Sequence, residues 1–411
     1  MQTIHTRTQE LIELEERYGA HNYHPLPVVL SKGKGVHVWD VDGKRYFDFL
    51  SAYSAVNQGH CHPRITRALM EQAQTLTLTS RAFYNDQLGA YEQYITRLFG
   101  YDRVLPMNSG AEAVETALKL CRKWGYEVKG IPDGQAKILF FSANFHGRTL
   151  AIISGSTDPG SRRHFGPYLP GLELLPYNDL AALREKLATD PHVAGILVEP
   201  IQGEAGVVVP DDGFLPGAYA LCREHQVLFI GDEIQTGIAR TGQMLCCDHS
   251  DVHPDILILG KALSGGTMPV SAVLADDEIM LLLHPGEHGS TFGGNPLACA
   301  VARVALEVVV EEKLAGNAEA MGQRFRQGIQ NMIGRIPVLE RVRGKGLLNA
   351  IVIDSGEDSE LAWNICLKFR DNGLLAKPTH GNKIRLAPPL VIREAQIDEC
   401  LDIIERSLKS F

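Results

Sequence analysis

Short apolar runs separated by helical spacing dominate the middle of this 411-residue chain. Residues 138–141, 195–198, 227–230, 256–259 and 271–274 read as strands with no polar alternation. Between two of them, Phe214, Leu215, Ala218, Tyr219 and Cys222 recur at the spacing of a helix face. Continuous apolar strands alternating with helices predict an α/β fold, a mostly parallel sheet covered on both faces. Earlier, Val36, Val38 and Trp39 lead through Asp42-Gly43 to Tyr46, Phe47 and Phe49, the pattern of a β-hairpin. Beyond residue 300 the pattern turns to helices over 302–310 and 317–333, short strands over 346–353 and 384–386, and a last helix over 394–408. This divides the chain into an N-terminal arm and hairpin start (1–45) that packs with the smaller domain, a large domain (46–300) and a smaller α+β domain (301–411).

Composition narrows the function classes. Hydrophobic residues make up 45% and charged residues 22%, ordinary values for a folded soluble protein. Forty Lys plus Arg against 49 Asp plus Glu leave a net charge of −9 with no basic stripe, so nucleic acid and acidic membrane surfaces are not expected partners. Near the start, Glu10, Glu13, Glu15 and Glu16 interrupt Leu11, Ile12 and Leu14, which predicts a short amphipathic helix over 1–17 rather than a secretory or transit segment. The eight cysteines have neither disulfide-framework nor metal-ligand spacing, so reduced thiols, no metal and a cytoplasmic location are expected.

Polar residues closing the apolar runs carry the candidate chemistry. Glu199 follows one run, Asp232 and Glu233 another, and Lys261 a third. In open α/β sheets the ligand crevice lies outside the carboxyl ends of the strands. Ser109-Gly110-Ala111-Glu112 opens a helical pattern; it has the form of a capping box and also offers backbone amides to an anion. No P-loop, dinucleotide fingerprint or nucleophile elbow is present. A lysine amine to form a Schiff base, an acid to keep a heterocyclic nitrogen protonated, and a phosphate anchor jointly describe a pyridoxal 5'-phosphate site.

Longer strings sharpen this: YGAHNYHP at 18–25, SAVNQGH at 54–60, VEPIQGEAG at 198–206, DEIQTG at 232–237, HGSTFGGNP at 288–296 and KPTHG at 377–381. In these the chain resembles the class III aminotransferases of fold type I over essentially its whole length, and within them the enzymes acting on ornithine. The resemblance implies a large domain with a mostly parallel seven-stranded sheet, a smaller α+β domain, and a homodimer or higher homo-oligomer with shared active sites. Lys261 would carry the cofactor and shuttle a proton, and Asp232 would pair with the pyridine nitrogen. Gln235 would meet the phenolic oxygen, while Phe145 and Ile234 would cover the two ring faces. Ser109, Gly110 and Ala111 would form the phosphate cup with Ser290 and with Thr291 from a neighbouring subunit.

The implied reaction passes the δ-amino group of L-ornithine to 2-oxoglutarate, giving glutamate 5-semialdehyde and L-glutamate, between arginine breakdown and proline synthesis. Arg148 and Tyr23 would hold the α-carboxylate of ornithine. With glutamate, Arg385 would take the α-carboxylate and Arg148 the side-chain carboxylate. Glu204 would neutralise Arg385 while ornithine is bound, and Tyr53 would shape the distal end of the pocket. One position departs from the pattern: His146 stands where animal-type ornithine enzymes carry tryptophan, and where relatives using acetylornithine or 4-aminobutyrate carry histidine. That leaves a related ω-aminotransferase as the alternative.

Overall fold

The structure is a computed structural model that describes residues 6–411. Residues 1–5 of the expected N-terminal helix lie outside it; the described part, Arg7–Tyr18, buries no residue and starts at a capping box between Thr6 and Gln9.

A seven-stranded sheet forms the centre, in the order Arg103–Met107, Ser271–Ala275, Ile256–Leu259, Leu228–Asp232, Val193–Val198, Lys137–Phe141 and Leu172–Leu175. Only Ser271–Ala275 runs antiparallel to its neighbours. Every residue of Val193–Val198, Leu228–Asp232 and Ile256–Leu259 is buried, which is why these runs show no polar alternation. Helix Gly110–Glu127 packs Val114, Ala117, Leu118 and Cys121 on one face, and Phe214–Glu224 packs Phe214, Ala218 and Cys222 on the other. The two outer strands, Arg103–Met107 and Leu172–Leu175, escaped the sequence pattern. Pro106 interrupts the first, and all four residues of the second are only half-buried, so neither reads as a core run.

The hairpin forms as expected between His37–Asp40 and Arg45–Asp48. Asp40 organises its turn, accepting from the amides of Asp42 (3.1 Å) and Lys44 (2.8 Å) and from the Tyr46 hydroxyl (2.6 Å). Leu30–Lys34 extends this sheet on one side, and Leu374–Leu375 closes it on the other. A third sheet orders Leu339–Lys345, Leu348–Ile353, Lys383–Leu386 and Lys377–Pro378, and Arg385 sits in it. The boundary expected at residue 300 falls inside the helix Pro296–Glu311.

Arg240 ties these parts together. It is fully buried, and its guanidinium donates to Asn57 Oδ1 (2.5 Å) and to the carbonyls of Leu347 (3.0 Å) and Pro388 (2.6 Å). Among the described residues no carboxylate pairs with it, and burial pulls its pKa down to about 9. The loop after Asp232 is thereby pinned to one end of the sheet that carries Arg385, where Leu347 and Pro388 flank paired strands.

Candidate active site

At the carboxyl ends of the central strands lies a cavity of about 220 Å³. Gly110 and Ala111, Phe145 and His146, Glu199, Asp232, Ile234, Gln235 and Lys261 all line it. Asp232 ends its strand and Glu199 directly follows another, so two parallel strands aim carboxylates into one space. Gly110 and Ala111 open their helix, where the first amides have no intrahelical acceptor. Ser109 is the N-cap and forms the capping box with Glu112. A side chain at Gly110 would meet Ile234 at 3.1 Å, so a glycine there keeps the floor open.

Lys261 follows Gly260 with φ of +43°, a left-handed conformation that is costly for a side-chain-bearing residue. Burial lowers its pKa, against the opposing pull of Glu204 and Asp232. Among the described residues no side chain hydrogen-bonds its ammonium. A half-buried amine without a hydrogen-bond partner, opposite a carboxylate and beside free helix-start amides, fits a covalently held pyridoxal phosphate.

Asp232 is fixed twice on the protein side. Its Oδ1 accepts from the Ile234 amide (3.1 Å), and its Oδ2 accepts from His146 Nδ1 (2.6 Å). His146 Nε2 is buried without a partner, which assigns the ring proton to Nδ1, since an N–H at Nε2 would strand a donor. His146, read from the sequence only as a departure, is therefore part of the site; its partner is 86 positions away and no local pattern announces the pair. Glu199 accepts from the Phe145 amide (3.0 Å), and burial pushes its pKa up to about 7. Glu233, next to Asp232, faces away and bonds Thr236 and the Cys247 amide.

Arg385 is 2% exposed and donates from Nη1 to Glu204 Oε1 (2.8 Å) and to Gln235 Oε1 (2.8 Å). Gln235 also donates from Nε2 to Glu204 (3.2 Å), so one of its amide hydrogens remains for the cavity. Burial raises the Glu204 pKa, but Arg385, with Lys261 and Gln235, outweighs it and the net shift is downward. The Tyr53 ring lies under Arg385, 4.6 Å from ring centroid to guanidinium carbon.

Tyr53 belongs to an unusual segment. Ser51, Ala52, Tyr53 and Ser54 all have positive φ (48°, 46°, 61° and 72°), a left-handed turn with no glycine. Such a turn costs roughly 1–2 kcal/mol per residue and persists only where its surroundings hold it.

Not every expected residue enters the enclosed space. Arg148 lies over the Phe145 ring at 5.3 Å and pairs with Asp158 (3.6 Å), its side chain 63% exposed. Tyr23 is 72% exposed, near Lys377. Ser290 and Thr291 do not line the cavity of their own chain. Ser290 Oγ accepts from Asn108 Nδ2 (2.7 Å), tying its loop to the start of the helix at Gly110, and Thr291 is exposed.

A model of the family described as Aminotransferase class-III matches residues 18–408. The chain belongs to the class-III aminotransferases. Like other class-III aminotransferases it depends on pyridoxal phosphate and has the fold of type I enzymes. It is 61% identical over 404 residues to the mitochondrial ornithine aminotransferase of Rattus norvegicus, covering 98% of this chain and 91% of that relative. Among solved structures it superposes on an ornithine aminotransferase of Toxoplasma gondii, described with partial occupancy of PLP at its active site, with a TM-score of 0.96 at 50% identity (98% of this chain, 94% of that one). It also superposes on a structure named as acetylornithine aminotransferase from Elizabethkingia anophelis, with a TM-score of 0.92 at 59% identity (99% and 100%).

Proposed function

We propose that this class-III aminotransferase moves the δ-amino group of L-ornithine to 2-oxoglutarate, yielding glutamate 5-semialdehyde and glutamate. The observation that carries this reading is the Glu204–Arg385 pair beside Lys261. An enzyme alternating between a donor reacting at its distal amine and an acceptor reacting next to its α-carboxylate must cover a buried arginine in one state and free it in the other. The 61% identity to an ornithine aminotransferase supports the same choice.

In this reading Asp232 would sit at the pyridine nitrogen, Phe145 and Ile234 at the ring faces, and Gln235 at the phenolic oxygen. The amides of Gly110 and Ala111, with Ser109, would hold the phosphate. When bound, the cofactor supplies an electron sink for the carbon that loses its proton. Lys261 Nζ, with its depressed pKa, takes that proton from the δ-carbon and returns one on the far side of the transfer. Arg148 and Tyr23 hold the ornithine α-carboxylate, and Arg385 takes the α-carboxylate of glutamate as a bidentate fork. Thr291 of a second copy completes the phosphate cup, a homodimer supported by the exposed apolar Phe83, Tyr84 and Phe292. We place the protein in the cytoplasm, between arginine breakdown and proline synthesis.

A panel of amine donors with the holoenzyme, followed by the cofactor's spectral change, tests the substrate. The expected order is free ornithine above acetylornithine and 4-aminobutyrate, and a clear preference for the acetylated amine would replace this reading by the second one. His146 and the 59% identity to the Elizabethkingia anophelis structure favour that alternative.

Two variants follow. Glu204→Ala leaves Arg385 without its carboxylate, so the ratio of ornithine to glutamate half-reaction rates should fall about tenfold or more. Equal effects on both half-reactions would exclude the switch. His146→Phe removes a charge-assisted hydrogen bond worth about 1.5–3 kcal/mol, so titration of the apoenzyme should show roughly 10- to 100-fold weaker cofactor binding.

A further inference from the structure

The left-handed turn at Ser51–Ser54 is held by bonds that converge on one place. Asp48 Oδ1 accepts from the amides of Leu50 and Ser51 (both 2.9 Å), and Asp48 Oδ2 pairs with His60 Nε2 (2.8 Å). Inside the turn, the amide of Ala55 donates to the Ser51 carbonyl (2.9 Å). The Ser51 hydroxyl, fully buried, donates to the carbonyl of Ala387 (2.7 Å), and the Ala387 amide donates to the carbonyl of Phe49 (2.7 Å). Ala387 is two residues beyond Arg385. The strained turn is therefore stitched to the strand whose guanidinium its own Tyr53 covers.

That arrangement addresses a gap in the Arg385 environment. Nη1 has Glu204 and Gln235, whereas Nε is buried with no hydrogen-bond partner. When Glu204 turns away, the face of Tyr53 and the Gln235 oxygen are what keep the guanidinium in place. Relaxing the turn would reverse the sign of φ at four residues and re-aim the ring.

We propose that Ser51 is a positioning residue: its bond to Ala387 holds Ser51–Ser54 left-handed, so that Tyr53 steadies Arg385 for the α-carboxylate of glutamate and 2-oxoglutarate. The inference rests on the assignment of Arg385 to that carboxylate. It concerns the acceptor half of the reaction and not the amine donor.

The test uses holoenzyme carrying Ser51→Ala, Ala52→Gly, or both. Ser51→Ala raises the KM for 2-oxoglutarate about fivefold, with kcat and the KM for ornithine within twofold. Glycine takes positive φ without strain, so Ala52→Gly alone raises Tm and leaves the kinetic constants unchanged, and in the Ser51→Ala background it restores the 2-oxoglutarate KM. A merely structural role would lower Tm without a selective KM change or a rescue. The inference is overturned if Ser51→Ala affects both substrates equally, if the 2-oxoglutarate KM stays put, or if Ala52→Gly lowers Tm or fails to rescue. Should wild-type enzyme refuse ornithine while Ser51→Ala still weakens 2-oxoglutarate selectively, the amine assignment fails and this inference stands.

Discussion

Lys261→Ala reduces turnover by at least about 10³-fold, because both the covalent anchor and the base that moves the substrate proton are lost. The absorbance of the lysine-linked cofactor disappears, while pyridoxal phosphate still binds through its ring and phosphate contacts. The stability result has the opposite sign. In the apoprotein Lys261 is a half-buried amine whose pKa desolvation has lowered, so the folded state binds protons less readily than the unfolded one. Its contribution is unfavourable below the depressed value and is relieved as pH rises. Removing the amine should leave the apoprotein Tm at neutral pH equal or higher. Normal turnover by Lys261→Ala would end the mechanism proposed above, and a sharp loss of Tm would show that the lysine supports the fold rather than the chemistry.

Asp232→Asn is expected to cost about 3–5 kcal/mol of transition-state stabilisation, roughly 10²- to 10⁴-fold in kcat, as for a buried charge left without its partner. Asparagine is nearly isosteric but cannot reproduce the contacts. The Ile234 amide and His146 Nδ1 both donate to Asp232, one to each oxygen. An amide offers only one oxygen, so its NH2 group either confronts one of these donors or drives the His146 proton onto Nε2, which is buried without a partner. Asp232→Glu keeps the charge and separates loss of charge from loss of placement. Turnover of Asp232→Asn within about threefold of wild type, measured at saturating substrate, would show that the ring nitrogen does not need this carboxylate.

Much of this centre was legible from the chain because it lies where local patterns end. Asp232, Glu199 and Lys261 each follow an apolar strand, and a parallel sheet delivers such residues to one edge. Gly110 and Ala111 sit at a helix start that the Ser109–Glu112 pair marks plainly. Less was visible at the rim of the sheet. Arg103–Met107 and Leu172–Leu175 lack the fully buried composition of the inner strands, since an outer strand has one neighbour and more solvent.

The amino-acid order alone determined the alternation of buried strands and helices, the hairpin through Asp42-Gly43, and the placing of an amine and an acid at adjoining strand ends. These depend on periodicity and on residues within a few positions of one another. Tertiary structure decided the rest. It set Arg385 against Glu204, 181 positions away, gave His146 to Asp232, and wound Ser51–Ser54 left-handed without a glycine. L-residues resist that hand; Asp48 steadies the start of the turn locally, but the bond from Ser51 to Ala387, 336 positions away, exists only once the sheets have met and supplies the remaining free energy that holds it.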